Sequence, residues 1–328
     1  MKFEIVDKFL SYQSQLENPE LHFSGCNLSG QKLIKVCQKL VSQKNIHTLI
    51  FKMRTNNLTH SDLAQLGNRL PNIAHLMNLS IFLSRNCVND GLIQFAQGLA
   101  LCKNLTTLMI ELEQGNVDDS HMSYLGEGLG KSKSIQHLTV QLKENQIKSE
   151  GLTSFAKEVS KIQTLETLNL DFNQNKIGST SLKKFETSFQ ESQLLSKLNI
   201  CFQINNIGQE QIQSLIKGFN SCKNLTCLNL GLWFNHIDNE CLEIMGKELT
   251  NNKSIKKFYL DIKVQNKVDY DQIGLFKLAK YLAKVKRLYH LELVTQDPFS
   301  VELSKQYLSQ KHFLQLKKIP RLVTLKYF

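Results

Sequence analysis

One phrase is written along this chain nine times. It starts on an apolar residue at Ile46, Leu76, Leu105, Ile135, Leu165, Leu195, Leu225, Ile255 and Leu288, with steps of 30, 29, 30, 30, 30, 30, 30 and 33 residues. A period of this length, kept in register, restricts the chain to a solenoid. Each copy is one supersecondary unit that cannot bury its own apolar face, so stability comes from stacking on neighbours and from caps at both ends.

The clearest copy is LETLNLDFNQNKI, from Leu165 to Ile177. Its apolar residues alternate, which is strand periodicity. Leu168, Leu170 and Phe172 then point inward, while Thr167, Asn169, Asp171 and Asn173 point outward. An asparagine closes the phrase at Asn56, Asn86, Asn145, Asn175, Asn205 and Asn235; Gly115 and Gln265 break the series. An Asn side chain at such a turn can hydrogen-bond backbone groups of adjacent coils. The rest of each copy is helical. Counting back from the starting residue, apolar side chains recur at −13, −10, −9 and −6, as in Leu92, Phe95, Ala96 and Leu99 or Leu152, Phe155, Ala156 and Val159. That spacing makes one helix face. Position −9 is small in Cys37, Gly67, Ala96, Gly126, Ala156, Gly246 and Ala279, and departs from this at Glu186 and Ile216. The expected coil is one strand and one helix, stacked in parallel. Helices are wider than strands, so the stack should curve with the strands on its concave side.

The phrase resembles the leucine-rich repeat, in particular the long-helix ribonuclease-inhibitor type, over about residues 21 to 295. The resemblance implies an α/β leucine-rich-repeat solenoid: a curved horseshoe with a parallel β-sheet on the concave side and helices on the convex side. This chain departs from the family phrase in its strand length. Leu170 stands five residues before Asn175, where the family has three steps; only LHFSGCNL, from Leu21 to Leu28, keeps the short form. The longer strand adds one alternating pair per coil to the sheet. Residues 1–20 read as an N-terminal cap with Phe3, Val6, Phe9 and Leu10 on one face. Residues 296–328 read as an irregular C-terminal cap that follows Asp297-Pro298 and ends in a strand-like IPRLVTLKYF.

The eight cysteines form no CxxC pair, and no histidine pair has metal-ligand spacing. Most occupy positions where other copies carry Ala, Leu or Ser, so they read as small buried hydrophobes of a reducing compartment. The cysteine-rich caps of the family's extracellular branch are absent, which also favours an intracellular, cytoplasmic location, cytoskeleton-associated in one reading. The first twenty residues carry no apolar run of leader length, and nothing approaches the roughly 18 apolar residues of a membrane span.

Catalytic motifs are missing: there is no P-loop, GxGxxG, GxSxG or HExxH. His137 and His290 share one outward slot and read as solvated residues at strand starts. The expectation is a protein without catalytic or metal-binding residues and without a cofactor. Charge is uneven. Residues 253–328 hold 16 Lys/Arg against 6 Asp/Glu, whereas the remainder holds 24 against 23. Lys284, Lys286, Arg287, Lys317 and Lys318 lead the excess. A basic quarter points to an acidic protein surface as partner or is a solvated helix face. Nucleic acid is disfavoured, because aromatics do not interleave the lysines.

By parity the outward face carries Lys52, Arg54, Phe82, Met109, Glu111, Glu113, Asp171, Trp233, Tyr259, Asp261 and Lys263. Trp233 is the only tryptophan, and with Tyr259 it fits an aromatic interface anchor; the alternative is that it tucks onto the neighbouring coil. The 33-residue step adds a loop with Lys267, Tyr270 and Asp271 beside them. The expected partner-binding set is therefore Trp233, Tyr259, Asp261, Lys263, Asp171, Glu111, Phe82, Lys284, Lys286 and Arg287. The function that fits is a non-enzymatic scaffold or adaptor for a protein partner. A regulator of an enzyme is the second reading: a small-GTPase activator of this family has the same repeat, although its acidic tail is replaced here by a basic end. A structural subunit of a larger cytoskeletal or ciliary assembly is the third.

Overall fold

The computed structural model describes residues 1–86, 91–262, 272–295 and 323–327. It comprises two compact units, Met1–Asp171 and Phe172–Phe328. In the first, β1 (Lys2–Phe3), β2 (Glu20–His22), β3 (Thr48–Lys52), β4 (Asn78–Phe82), β5 (Thr107–Glu111), β6 (His137–Gln141) and β7 (Thr167–Asp171) pair in parallel, each with the next in sequence. Between them run α1 (Val6–Ser11), α2 (Gly30–Val41), α3 (His60–Arg69), α4 (Gly91–Leu101), α5 (Asp119–Leu129) and α6 (Ser149–Val159). The second unit repeats the plan with β8 (Lys197–Cys201), α7 (Gln209–Ser221), β9 (Cys227–Gly231), α8 (Asn239–Leu249), β10 (Lys257–Asp261), α9 (Gln272–Leu282), β11 (His290–Thr295) and β12 (Val323–Tyr327). Its strands also pair in parallel and in order.

The periodicity explains these boundaries. Each of the nine starting residues is buried, and a strand begins two positions later, from Thr48 after Ile46 to His290 after Leu288. Inward residues such as Leu168, Leu170, Leu228 and Leu230 are at most 4% exposed, while their outward neighbours stay partly solvated. All-parallel sheets are usually covered on both faces; here the outward side chains of the described strands stay mostly part-solvated. The helix stripe at −13, −10, −9 and −6 is buried as its spacing requires, with Leu92, Phe95, Ala96 and Leu99 all at 0%.

Close helix approach explains the small residue at −9. A Cβ on Gly67 would lie 2.6 Å from the Gln94 carbonyl and from Phe95 Cα of the following helix. The sequence pattern missed a second small position at −7: a Cβ on Gly98 would meet the Gly67 carbonyl at 2.0 Å. Where −9 is charged, the expected helix fails. The coil between β7 and β8 holds two 3-10 segments, Ile177–Ser179 and Lys183–Thr187, in place of an α-helix. A helix packed that tightly would bury the Glu186 carboxylate. In the looser turn the carboxylate meets Lys183 at 3.0 Å, Lys217 at 3.6 Å and Ser214 Oγ at 3.3 Å, while Leu182, Phe185 and Phe189 remain core.

The extra strand length is real pairing. Beyond the strand ends the Met53 N–H donates to the Phe82 carbonyl and the Thr55 N–H to the Ser84 carbonyl, and the same pair recurs at Leu83 with Glu111 and Arg85 with Glu113. The chain then turns at a left-handed residue: Thr55, Arg85, Gln114, Glu144, Gln174, Ile204 and Phe234 have φ between +52° and +58°. The asparagine that follows all of these but Gln114, which Gly115 follows, locks the turn. Asn145 Oδ1 accepts from the Gly115 and Val117 N–H groups at 3.1 and 2.9 Å, and its Nδ2 donates to the Leu112 and Leu142 carbonyls at 2.9 and 2.8 Å. Asn86 and Asn235 make the equivalent four bonds. Gln265, Cys87 and the loop residues Lys267, Tyr270 and Asp271 lie outside the described residues, as do Asp297, Pro298, Lys317 and Lys318.

At the start of the chain, α1 buries Val6 and Phe9, and Phe3 packs edge-on against Phe9 at 5.3 Å. Those first residues also supply β1, which the amphipathic pattern did not reveal.

Candidate functional site

Strand register sorts the outward residues into rows that cross the strands. In the first unit Lys52 lies beside Phe82, Phe82 beside Glu111, Glu111 beside Gln141 and Gln141 beside Asp171. Parity places all five outward, but the row is not uniformly solvated. Glu111 is 3% exposed. Its carboxylate accepts from Arg54 Nε at 2.5 Å, from Arg54 Nη2 and from the Ser84 hydroxyl. Arg54 in turn lies over the Phe82 ring at 4.8 Å, with Lys52 Nζ at 5.5 Å. Alternation assigns a side of the sheet and says nothing about a long side chain reaching across two strands to cover a neighbour. Glu111 is thus an internal ligand of this face, and Phe82 is half-buried beneath two cations.

The same network perturbs its neighbours. Burial raises the Glu113 carboxyl above its ordinary range, the Glu111 and Asp171 carboxylates push it further, and Lys143 and Arg54 oppose them. Asp171 itself is half-exposed at the end of β7.

In the second unit the rows are Lys197, Cys227, Lys257 and His290, then Asn199, Asn229, Tyr259 and Glu292. Tyr259 sits at the middle of β10 and packs on His290, ring centroids 4.9 Å apart. Trp233 follows the end of β9 by two residues, so it lies further along the strand direction than Tyr259. It is half-buried and stacks on Phe234 at 4.6 Å, a contact set by the left-handed turn at Phe234. The two aromatics expected as one anchor therefore belong to different rows, each with its own ring partner. Asp261 ends β10 and is half-exposed; Lys263 falls outside the described residues. Lys284, Lys286 and Arg287 are exposed between α9 and β11, with Lys284 Nζ over the Tyr281 ring at 5.2 Å.

An open groove of about 610 Å³ lies at the starts of β8, β9 and β10. Lys197, Lys256, Lys257, Asn199, Asn229, Tyr259 and Tyr289 are among the residues that line it. Among the described residues, Tyr259 is the one member of the expected set found there. The sequence signal that was passed over is a lysine at the strand start in β8 and again in β10.

The seven described cysteines carry free thiols. Burial pushes Cys37, Cys102 and Cys241 up to about 12 and Cys222 to about 11, so these sulfurs stay protonated. Among the described residues there is no cluster of three His, Cys, Asp or Glu side chains able to hold a metal ion. No described helix is long and apolar enough to cross a membrane.

No protein-family model matches the chain, and no curated protein matches it. Several solved structures are similar. An internalin, inlF, from Listeria monocytogenes is 15% identical, with 96% of this chain and 79% of that one covered and a TM-score of 0.41. TLR13 in its complex with ssRNA13 is 16% identical, with 95% and 39% covered and a TM-score of 0.44. The complex of Rad7 and Elc1 in yeast contributes a chain 17% identical, with 84% and 79% covered and a TM-score of 0.36. The chain's own geometry, strand and helix alternating in parallel coils with an asparagine at the turn, is that of an α/β leucine-rich-repeat solenoid.

Proposed function

We propose that this chain is a non-enzymatic scaffold that binds a protein partner on the outward face of its sheets. The observation that carries the reading is the uncovered face itself. Each five-residue strand from β3 to β10 buries one set of side chains and, Glu111 of β5 apart, leaves the alternate set partly solvated. In-register pairing spaces those side chains about 4.8 Å apart from coil to coil. Such a face offers one adjustable side chain per coil per row, which suits recognition of a large surface. The acidic partner expected from the basic last quarter belongs to this reading, as does a place in a larger complex.

The repeat period and helices of 10 to 13 residues in α3 to α9 support a ribonuclease-inhibitor-type repeat. Four of the seven described cysteines, Cys37, Cys102, Cys222 and Cys241, are free and buried, which supports an intracellular location.

The test is affinity capture with mass spectrometry, run with the native chain and two surface variants. One replaces Trp233, Tyr259 and Asp261 by Ala; the other replaces exposed helix-side residues Lys157, Glu150 and Lys247. Partners lost with the first and kept with the second support the reading. A partner set insensitive to the first, or sensitive to the second, overturns it.

A further inference from the structure

The groove at the starts of β8 to β10 has a chemistry of its own. Lys197 and Lys257 flank Cys227 in one row, one strand on either side, and Lys256 precedes Lys257 at the rim. Lys197 and Lys256 are exposed and Lys257 is half-exposed. None of the three forms an ion pair with a described carboxylate, whereas Lys143, Lys161, Lys183, Lys217 and Lys277 all do. Among the described residues no carboxylate lines the groove. Uncompensated like charges on one concave surface repel each other and raise the local concentration of anions. Exposed Asn229 supplies an amide beside them, and Tyr289, 41% exposed, supplies a ring. Arg287 and Lys286 stand immediately before Leu288 and Tyr289 in the chain and extend the positive charge beyond this edge.

Resting on the outward-face reading above, we propose that this groove docks an acidic peptide segment of the partner, its carboxylates on Lys197, Lys256 and Lys257 and its backbone on the exposed Asn229 amide. Three arguments select that occupant. Lys197 and Lys257 are two strand spacings apart, about 10 Å, so they address separate charges along an extended chain and do not converge on one phosphate. Lysines act as point charges, and among the described residues the groove has no arginine to supply the bidentate fork that phosphate recognition favours. A single-stranded nucleic acid would want successive free ring faces, but Tyr259 is already packed on His290.

The probe is a fluorescein-labelled hexaglutamate peptide titrated with the full chain, followed by anisotropy. Hexaglutamine, a six-nucleotide RNA and inorganic phosphate are the comparison ligands. The variants are Lys197→Glu/Lys256→Glu/Lys257→Glu and, with the same change in net charge, Lys131→Glu/Lys133→Glu/Lys148→Glu on exposed residues of the first unit. The expected result is salt-sensitive hexaglutamate binding that the groove variant weakens at least about tenfold and the charge-matched variant by less than about threefold. Equal loss in both variants, no loss in the groove variant, or tighter binding of RNA or phosphate than of hexaglutamate overturns the proposal. Circular dichroism and thermal melts establish that both variants are folded. If the peptide experiment fails while capture still depends on the outward-face residues, the scaffold reading stands and the groove is removed from it.

Discussion

Replacing Asn145 by Ala tests whether the turn asparagines hold the coils together. The native side chain is 3% exposed and makes four bonds of 3.1 Å or less to backbone groups of its own and the preceding coil. Alanine leaves the Gly115 and Val117 N–H groups and the Leu112 and Leu142 carbonyls without this partner. A buried donor left unsatisfied costs about 1–3 kcal/mol, and carbonyls tolerate the loss better. The two amides alone then cost about 2–6 kcal/mol, and water entering at the surface turn lowers this to about 2–4 kcal/mol. Urea denaturation gives the stability difference, provided the m-value is unchanged. Amide hydrogen exchange locates it: Gly115 and Val117 should lose protection while Asn205 and Ile207, held by Asn235 in the second unit, should not. A loss under about 1 kcal/mol, or unchanged exchange at Gly115 and Val117, would refute the reasoning.

Three further outcomes follow from other parts of the structure. Ile204, β-branched and 43% exposed, holds φ at +57°, so Ile204→Asn should stabilise the chain by about 0.5–1 kcal/mol in thermal melts; a decrease means its side chain packs. Iodoacetamide should label exposed Cys201 of the native protein well before Cys37, Cys102, Cys222 and Cys241, as read by peptide mass mapping; equal rates contradict the burial. Burial would raise the Asp118 carboxyl, but bonds from Ser120 Oγ, the His121 N–H and the His121 ring outweigh it and hold it at about 2. Its folded pKa lies below the usual 3.8, so its contribution is complete above that value and is lost as pH falls toward 2. Asp118→Ala should therefore cost about 1 kcal/mol at neutral pH and progressively less between pH 4 and 2, measured by denaturation across pH; a constant difference refutes it.

How much of this was legible in the sequence depends on the physics behind each signal. Strand positions were, because burial on one side of a sheet forces a period of two that the Leu168, Leu170 and Phe172 series displays. The asparagine ladder was too, because few residues both accept and donate at a tight turn. The coil after β7 was not read as irregular, although Glu186 at the close-packed helix position was visible; one charge outweighed an otherwise complete apolar stripe. The outward residues were assigned to the right side and the wrong neighbours. Glu111 is covered by Arg54, 57 residues away, and no local pattern encodes that contact. Trp233 and Tyr259 were adjacent by coil but sit in different rows, because register is counted along the strand. The lysine groove needed that register to become visible, since Lys197 and Lys257 are 60 positions apart in the chain.

The outward-face account is tested most directly by hydroxyl-radical footprinting of the chain alone and in complex with its captured partner. Met109, Trp233, Tyr259 and Tyr289 report on the outward side of the strands, and Tyr124 and Tyr281 report on the helices. The account predicts that oxidation falls at Trp233, Tyr259 and Tyr289 on binding and is unchanged at Tyr124 and Tyr281. Protection confined to Tyr124 and Tyr281, with the outward residues oxidised as in the free chain, would contradict it.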